Sequence, residues 1–167
     1  MNTFLSKKDL PKEINLNQLV EYMTGPSKRP KWDTGFNEYK LIEGSDSCGI
    51  LYSWMKSPVF FVSERDGVDK KVDFYENKEF FSFSSSVPDE FLPIKENVVR
   101  ITDYIFLYHI YEDQENFYIQ SLTQMDFKMN LPQNLLNVTL PLKMQNWYKS
   151  MIAYMKKEHE QVNNKGV

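Results

Sequence analysis

Two histidines and one cysteine are the imidazole and thiol groups that this chain offers for chemistry: His109 in a strand-like stretch, His159 near the end of a helical one, and Cys48 beside a turn. A structural zinc site draws four Cys or His ligands at short spacings, so none can be built here. No glycine-rich phosphate loop, serine nucleophile elbow or Cys–His pair at a recognised spacing occurs. His109 is the one histidine in a strand-like stretch, and a histidine held by strand hydrogen bonds is a plainer account of it than a cavity base. The chain is therefore expected to be neither an enzyme nor a holder of metal or cofactor. What it does carry is two arginine–aspartate pairs, Arg29 with Asp33 and Arg65 with Asp66. A guanidinium can fork onto phosphate, carboxylate or backbone carbonyls.

The elements that must position these pairs come from pattern. Residues 3–5 suit a short strand, residues 15–22 a helix with Leu16, Leu19 and Val20 on one face, and the stretch up to Asp33 a helical turn interrupted by Pro30. From Phe36 the period changes to two, predicting three hairpins: 36–43 with 48–55, 66–75 with 79–85, and 98–111 with 116–125. Two prolines in SSVPDEFLPIKEN forbid a strand there, and Phe91, Leu92 and Ile94 are too apolar for an idle linker, so a folded surface loop is expected. After Asp126 the period returns to that of a helix, with Pro141 near its first turn and Leu140, Met144, Trp147, Met151 and Met155 along one stripe. Residues 1–159 form one domain on this reading, and 160–167 a polar tail.

Composition narrows the partners. A net charge of −3 gives no basic surface for nucleic acid. The 15% aromatic content, with twelve Phe and ten Tyr, exceeds what an average domain needs and asks for a large core or a cavity. No apolar run reaches the ~18–20 residues of a membrane span, and the first residues lack a secretion signal. The expectation is an intracellular protein, cytoplasmic or organelle-associated, the mitochondrion included.

A strand, two short helices, antiparallel strands and a long closing helix make an α+β helix-grip fold: a curved antiparallel sheet of about six or seven strands wrapped around the C-terminal helix. Within it, Arg29-Pro-Lys-Trp-Asp33 resembles the R-x-x-W-D motif of START (steroidogenic acute regulatory protein-related lipid transfer) domains. Lys56-Ser-Pro58 through Ser63-Glu-Arg-Asp66, with Val68, resembles their P-F-x-x-S-x-R-D-x-V signature. Val98-Val-Arg100 is similar to their V-x-R strand start, and Asp126 through Leu131-Pro132 and Leu135-Leu-Asn137 to the approach to their closing helix. The family's first helix and two leading strands have no counterpart, and Phe127 and Met129 stand where it favours Pro and Gly.

The resemblance implies one lipid held between sheet and closing helix. Tyr52, Trp54, Phe60, Phe106, Tyr108, Met144, Trp147, Met151 and Met155 are the expected lining, and aromatic and Met side chains suit an irregular apolar pocket; the same residues would also fill a solid core. By resemblance to members that bind phosphatidylcholine, Arg29 and Asp33 would meet the headgroup, with Tyr22 nearby. A salt bridge tying the second helix to the sheet is the equal alternative. Steroid-binding members place an acid and a base where this chain has Tyr52 and Lys71, which favours a phospholipid over a sterol. Phe91, Leu92 and Ile94 would form a gate against a membrane in transient contact, and Arg65 with Asp66 a structural anchor in which Arg65 meets carbonyls or a carboxylate. A second reading is an accessory subunit whose partner protein completes the sheet edge left by the missing strands.

Overall fold

Three tight turns set the sheet. In the computed structural model, which describes residues 1–57, 62–88, 91–126, 128 and 133–165, strand β4 (Glu64–Glu76) turns into β5 (Glu79–Ser86) through Asn77 and Lys78 at φ 51° and 67°. Two consecutive positive φ values make the type I′ turn that matches strand twist. Gly44 at φ 89° ends β2 (Phe36–Gly44) before β3 (Cys48–Met55); a Cβ there would lie 2.4 Å from the Cys48 carbonyl oxygen. Between β7 (Tyr104–Glu112) and β8 (Asn116–Met125), the Asp113 carboxylate accepts the amides of Glu115 and Asn116, both at 2.8 Å.

The three expected hairpins form, and β1 (Asn2–Ser6) adds antiparallel to β8, giving the order β1-β8-β7-β5-β4-β3-β2. One expectation is corrected. Residues 98–111 are not a single strand: β6 (Val98–Ile101) pairs parallel with the start of β4, the chain steps across at Thr102 and Asp103, and β7 pairs antiparallel with β5. The break falls where the chain exchanges one neighbour for another, and the Ser86 hydroxyl donates there to the Thr102 carbonyl.

Helix α1 (Leu16–Thr24) starts on a reciprocal cap, Asn15 Oδ1 accepting from the Gln18 amide and Gln18 Oε1 from the Asn15 amide, both at 3.0 Å. A single 3-10 turn follows at Arg29–Lys31. Helix α2 (Gln133–Lys165) is longer at both ends than expected: Pro141 lies inside it rather than in its first turn, and residues 160–165 continue it instead of forming a tail. Pro141 has no N–H to give the carbonyl of residue 137, a loss the rest of a 33-residue helix tolerates.

The core joins α1, α2 and one sheet face: Leu19, Met23, Ile110, Phe117, Met151 and Met155 are fully or almost fully buried. Across β4 and β5 the usual alternation is inverted. Asp69, Lys71, Ser82 and Ser84 are buried on the inner face, while Phe74 and Phe83, on the same strands, are 48% and 40% exposed.

Candidate functional site

The 3-10 turn brings Arg29 and Asp33 onto one side, with the Asp33 amide bonded to the Arg29 carbonyl at 2.9 Å and the Arg29 Nε donating to Asp33 Oδ2 at 3.1 Å. Asp33 also accepts the Gly35 amide at 3.1 Å and the Trp147 indole N–H at 2.7 Å, so one carboxylate joins this segment to α2. The guanidinium lies over the rings of Phe36, Tyr39 and Trp147, at 4.9, 5.1 and 5.5 Å. Burial works against its charge, but the Tyr39 phenol and Asp33 outweigh it and hold the proton more tightly than in water.

Behind the arginine the inverted strands supply a polar wall. Burial lifts the Asp69 carboxyl above the usual carboxylate range, although Tyr104, Ser84 and the charges of Arg29 and Lys71 pull the other way. The Tyr39 hydroxyl is pushed up to about 12, again by burial. Tyr104 and Tyr108 are driven above the phenol range for the same reason, with Asp69 adding to it at Tyr104. Lys71, 3% exposed, donates to Asp73 at 2.7 Å and to the carbonyls of Thr24 and Asp46 at 3.2 and 3.1 Å. A guanidinium, an ammonium and protonated phenols form a donor-rich surface in a dry interior, chemistry suited to holding an anionic or hydroxylated group.

The expected lining residues separate into two sets. Phe106, Tyr108, Met144, Trp147, Met151 and Met155 come together against the core, with the Phe106 and Tyr108 rings edge to face at 4.4 Å. Tyr52 and Trp54 are corrected: they project from the opposite sheet face. There the Tyr52 hydroxyl donates to Asp66 at 3.2 Å and the Lys95 ammonium sits 3.9 Å from the Trp54 ring centre. Phe60 lies outside the described residues. Tyr22 sends its hydroxyl to Glu158, which also receives Lys28 at 3.0 Å, so its polar end is not part of the Arg29 cluster.

Arg65 is 6% exposed and donates to the Ser63 carbonyl, as expected of an anchor. Its neighbour Asp66 is fully buried and bonds in a fork to Arg100, at 2.7 Å to Nε and 2.9 Å to Nη2. Arg100 also donates to the Leu92 carbonyl at 3.0 Å, which fixes the base of the loop whose Phe91 and Ile94 are 42% and 51% exposed and whose Leu92 is partly buried. Sequence reasoning missed Arg100, Tyr39, Asp69 and Lys71 as members of polar clusters. The available signal was the run of charges at 69, 71 and 73, which share one face of a strand.

No protein-family model and no curated protein matches the sequence. Solved structures do. Human STARD10 superposes with a TM-score of 0.74 at 19% identity, over 98% of this chain and 67% of that one. A STAR-related lipid transfer protein from Xanthomonas axonopodis gives 0.71 at 18% identity, over 93% and 84%. Human StAR-related lipid transfer protein 5 gives 0.67 at 22% identity, over 84% and 70%. With its curved antiparallel sheet and closing helix, this chain has the helix-grip fold of START domains.

Proposed function

We propose that the protein binds a lipid and carries it, one molecule per chain, with the acyl chains against the Met and aromatic side of α2 and the headgroup at Arg29. The observation that carries this reading is the inverted alternation of β4 and β5, which buries a donor-rich patch beside an apolar core. Burying these charges costs free energy that their partners within the chain, Asp33 for Arg29 and Asp73 for Lys71, offset only in part, and a headgroup is the further partner we assign to them. The neighbours in fold are named as lipid transfer proteins, which supports the same reading. Phospholipid is the favoured cargo: a guanidinium fork reads phosphate geometry, whereas a sterol offers one hydroxyl. Tyr22, committed to Glu158, is left out of this headgroup site. Exposed Phe91 and Ile94 on a loop held at its base by Arg100 supply the membrane contact.

Delipidated protein, incubated with vesicles containing phosphatidylcholine and cholesterol and then measured by native mass spectrometry, is expected to carry one phosphatidylcholine. Arg29→Gln is expected to reduce loading about tenfold, the worth of one charge-assisted contact, while remaining folded by circular dichroism. Uptake of cholesterol alone, or of neither lipid, refutes the proposal.

A further inference from the structure

The outer face of the sheet carries the apolar residues that the inverted strands turn away from the core. Five rings form a continuous line across four strands. Phe74 stacks on Phe81 at 5.2 Å and Phe81 on His109 at 4.4 Å; His109 meets Tyr111 at 5.0 Å, and Tyr111 stacks on Tyr118 at 5.0 Å. One row along the strands, register places Phe83, Leu107 and Leu122 side by side, with Phe83 and Leu122 40% and 63% exposed. The His109 ring has Nε2 at 2.6 Å from Glu79 and Nδ1 at 3.1 Å from Gln120, and the Tyr118 hydroxyl donates to Asp113 at 2.9 Å, so these two rings can be covered without stranding a donor.

We propose that this face is the interface of a twofold homodimer. Four strands at about 4.8 Å and the run of β4 from residue 70 to 76 at about 3.4 Å per residue give it a footprint of about 20 Å by 20 Å, on the order of 400 Å². That lies within the range for an isolated monomer's largest apolar patch. Two copies would bury about 800 Å², the size of a weak, transient contact, which fits a dimer with Kd on the order of 100 µM.

Charge selects the second copy as occupant. On the same face β4 shows Lys70 at one end and Glu76 at the other, both exposed and, among the described residues, in no ion pair within the chain. Midway between them lie Val72 and Phe74. When a second sheet packs face to face about a twofold axis crossing the strands at that midpoint, row exchanges with row. Lys70 then meets Glu76 of the second copy, Glu76 meets its Lys70, and Phe81 meets Phe83. An anionic membrane or a nucleic acid finds no such match on β4 and β5, because there Glu76 and Glu79 outnumber Lys70.

Sedimentation velocity on the full chain, from about 1 to about 200 µM, tests this. The expected mass rises from that of one 19.9 kDa chain toward two. Lys70→Glu and Glu76→Lys should each raise Kd about tenfold by setting like charges together twice per dimer, and the double reversal should return it to within about threefold of the original. Phe83→Glu, folded by circular dichroism, should leave only monomer. A monomer at every concentration, a dimer indifferent to Phe83→Glu, a double reversal that does not recover, or co-sedimentation with vesicles in place of self-association each overturns the proposal. None of these outcomes depends on whether the interior holds a lipid.

Discussion

Replacing Arg100 by Met asks how much of the fold hangs on one buried pair. The substitution keeps a long side chain but removes both bonds to Asp66, at 2.7 and 2.9 Å, and the bond to the Leu92 carbonyl. Asp66 is fully buried and, among the described residues, keeps only the Tyr52 hydroxyl at 3.2 Å. Breaking a buried pair from one side costs ~3–5 kcal/mol, chiefly because the other charge is stranded. The loss of one donor to the loop carbonyl adds about 1 kcal/mol. At about 2–4 °C per kcal/mol for a domain of this size, the midpoint of thermal unfolding should fall by about 15 °C. In urea, with a slope of about 2 kcal/mol per molar, the midpoint should drop by about 2 M. Changing Asp66 to Asn as well removes the stranded charge, so Arg100→Met should cost less than about half as much in that background. Hydrogen exchange should quicken at residues 91–95 in Arg100→Met, because their anchor is gone. A urea shift below about 0.5 M, or equal costs in the two backgrounds, would show that the pair is not what holds this end of the sheet.

Asp69, whose carboxyl burial raises, should leave a signature in pH. Between the ordinary carboxylate value of about 4 and its raised native value the folded protein holds the proton more tightly than the unfolded chain. Stability due to this group is therefore present at low pH and lost as pH rises through that window. Asp69→Asn should flatten that slope in urea melts from pH 4 to 7, and an unchanged slope refutes the assignment. Trp147→Phe deletes the 2.7 Å bond to buried Asp33 and should cost ~1–3 kcal/mol by the same melts, with no effect on the Tyr22–Glu158 contact. Met151→Ala, at a fully buried position, should cost ~2–4 kcal/mol; a loss under about 0.5 kcal/mol would mean that a loosely packed space already lies beside it.

The hairpins were legible because turn residues and period-two alternation are local. Thus Asn77-Lys78 and the Ser45-centred turn announce themselves in any alignment of polar and apolar positions. The parallel pairing of β6 was not, since four residues, Val98 to Ile101, look alike whichever strand lies beside them. Alternation also fails to say which face is inner when both are covered. Leu51, Tyr52 and Ser53 are all buried, Leu51 toward the core and Tyr52 beneath the loop that Arg100 and Lys95 hold. The charges of β4 read as solvated for the same reason: a polar residue opposite an apolar one normally points to water, and here Asp69 and Lys71 point inward. Arg29 and Asp33 are legible as neighbours because they are four residues apart on one turn, whereas the indole that completes their contact comes from a position 114 residues further on.

The pairing of β1 with β8 bears on how the chain is made. Asn2 lies opposite Gln120 and Ser6 opposite Asn116, so during synthesis β1 waits for the last strand, β8, before it has a neighbour. At ~5–20 residues per second that delay is on the order of ten seconds. Throughout it Leu5, and the α1 residues Leu19 and Met23, lack the Ile110, Phe117 and Met151 side chains they will be buried with. The nascent chain therefore presents a sticky segment from β1 to α1 until β8 is made, with the central hairpins formed and the edge still open. Chaperone binding during translation should concentrate on the β1–α1 segment, residues 2–24, and end once β8 has emerged.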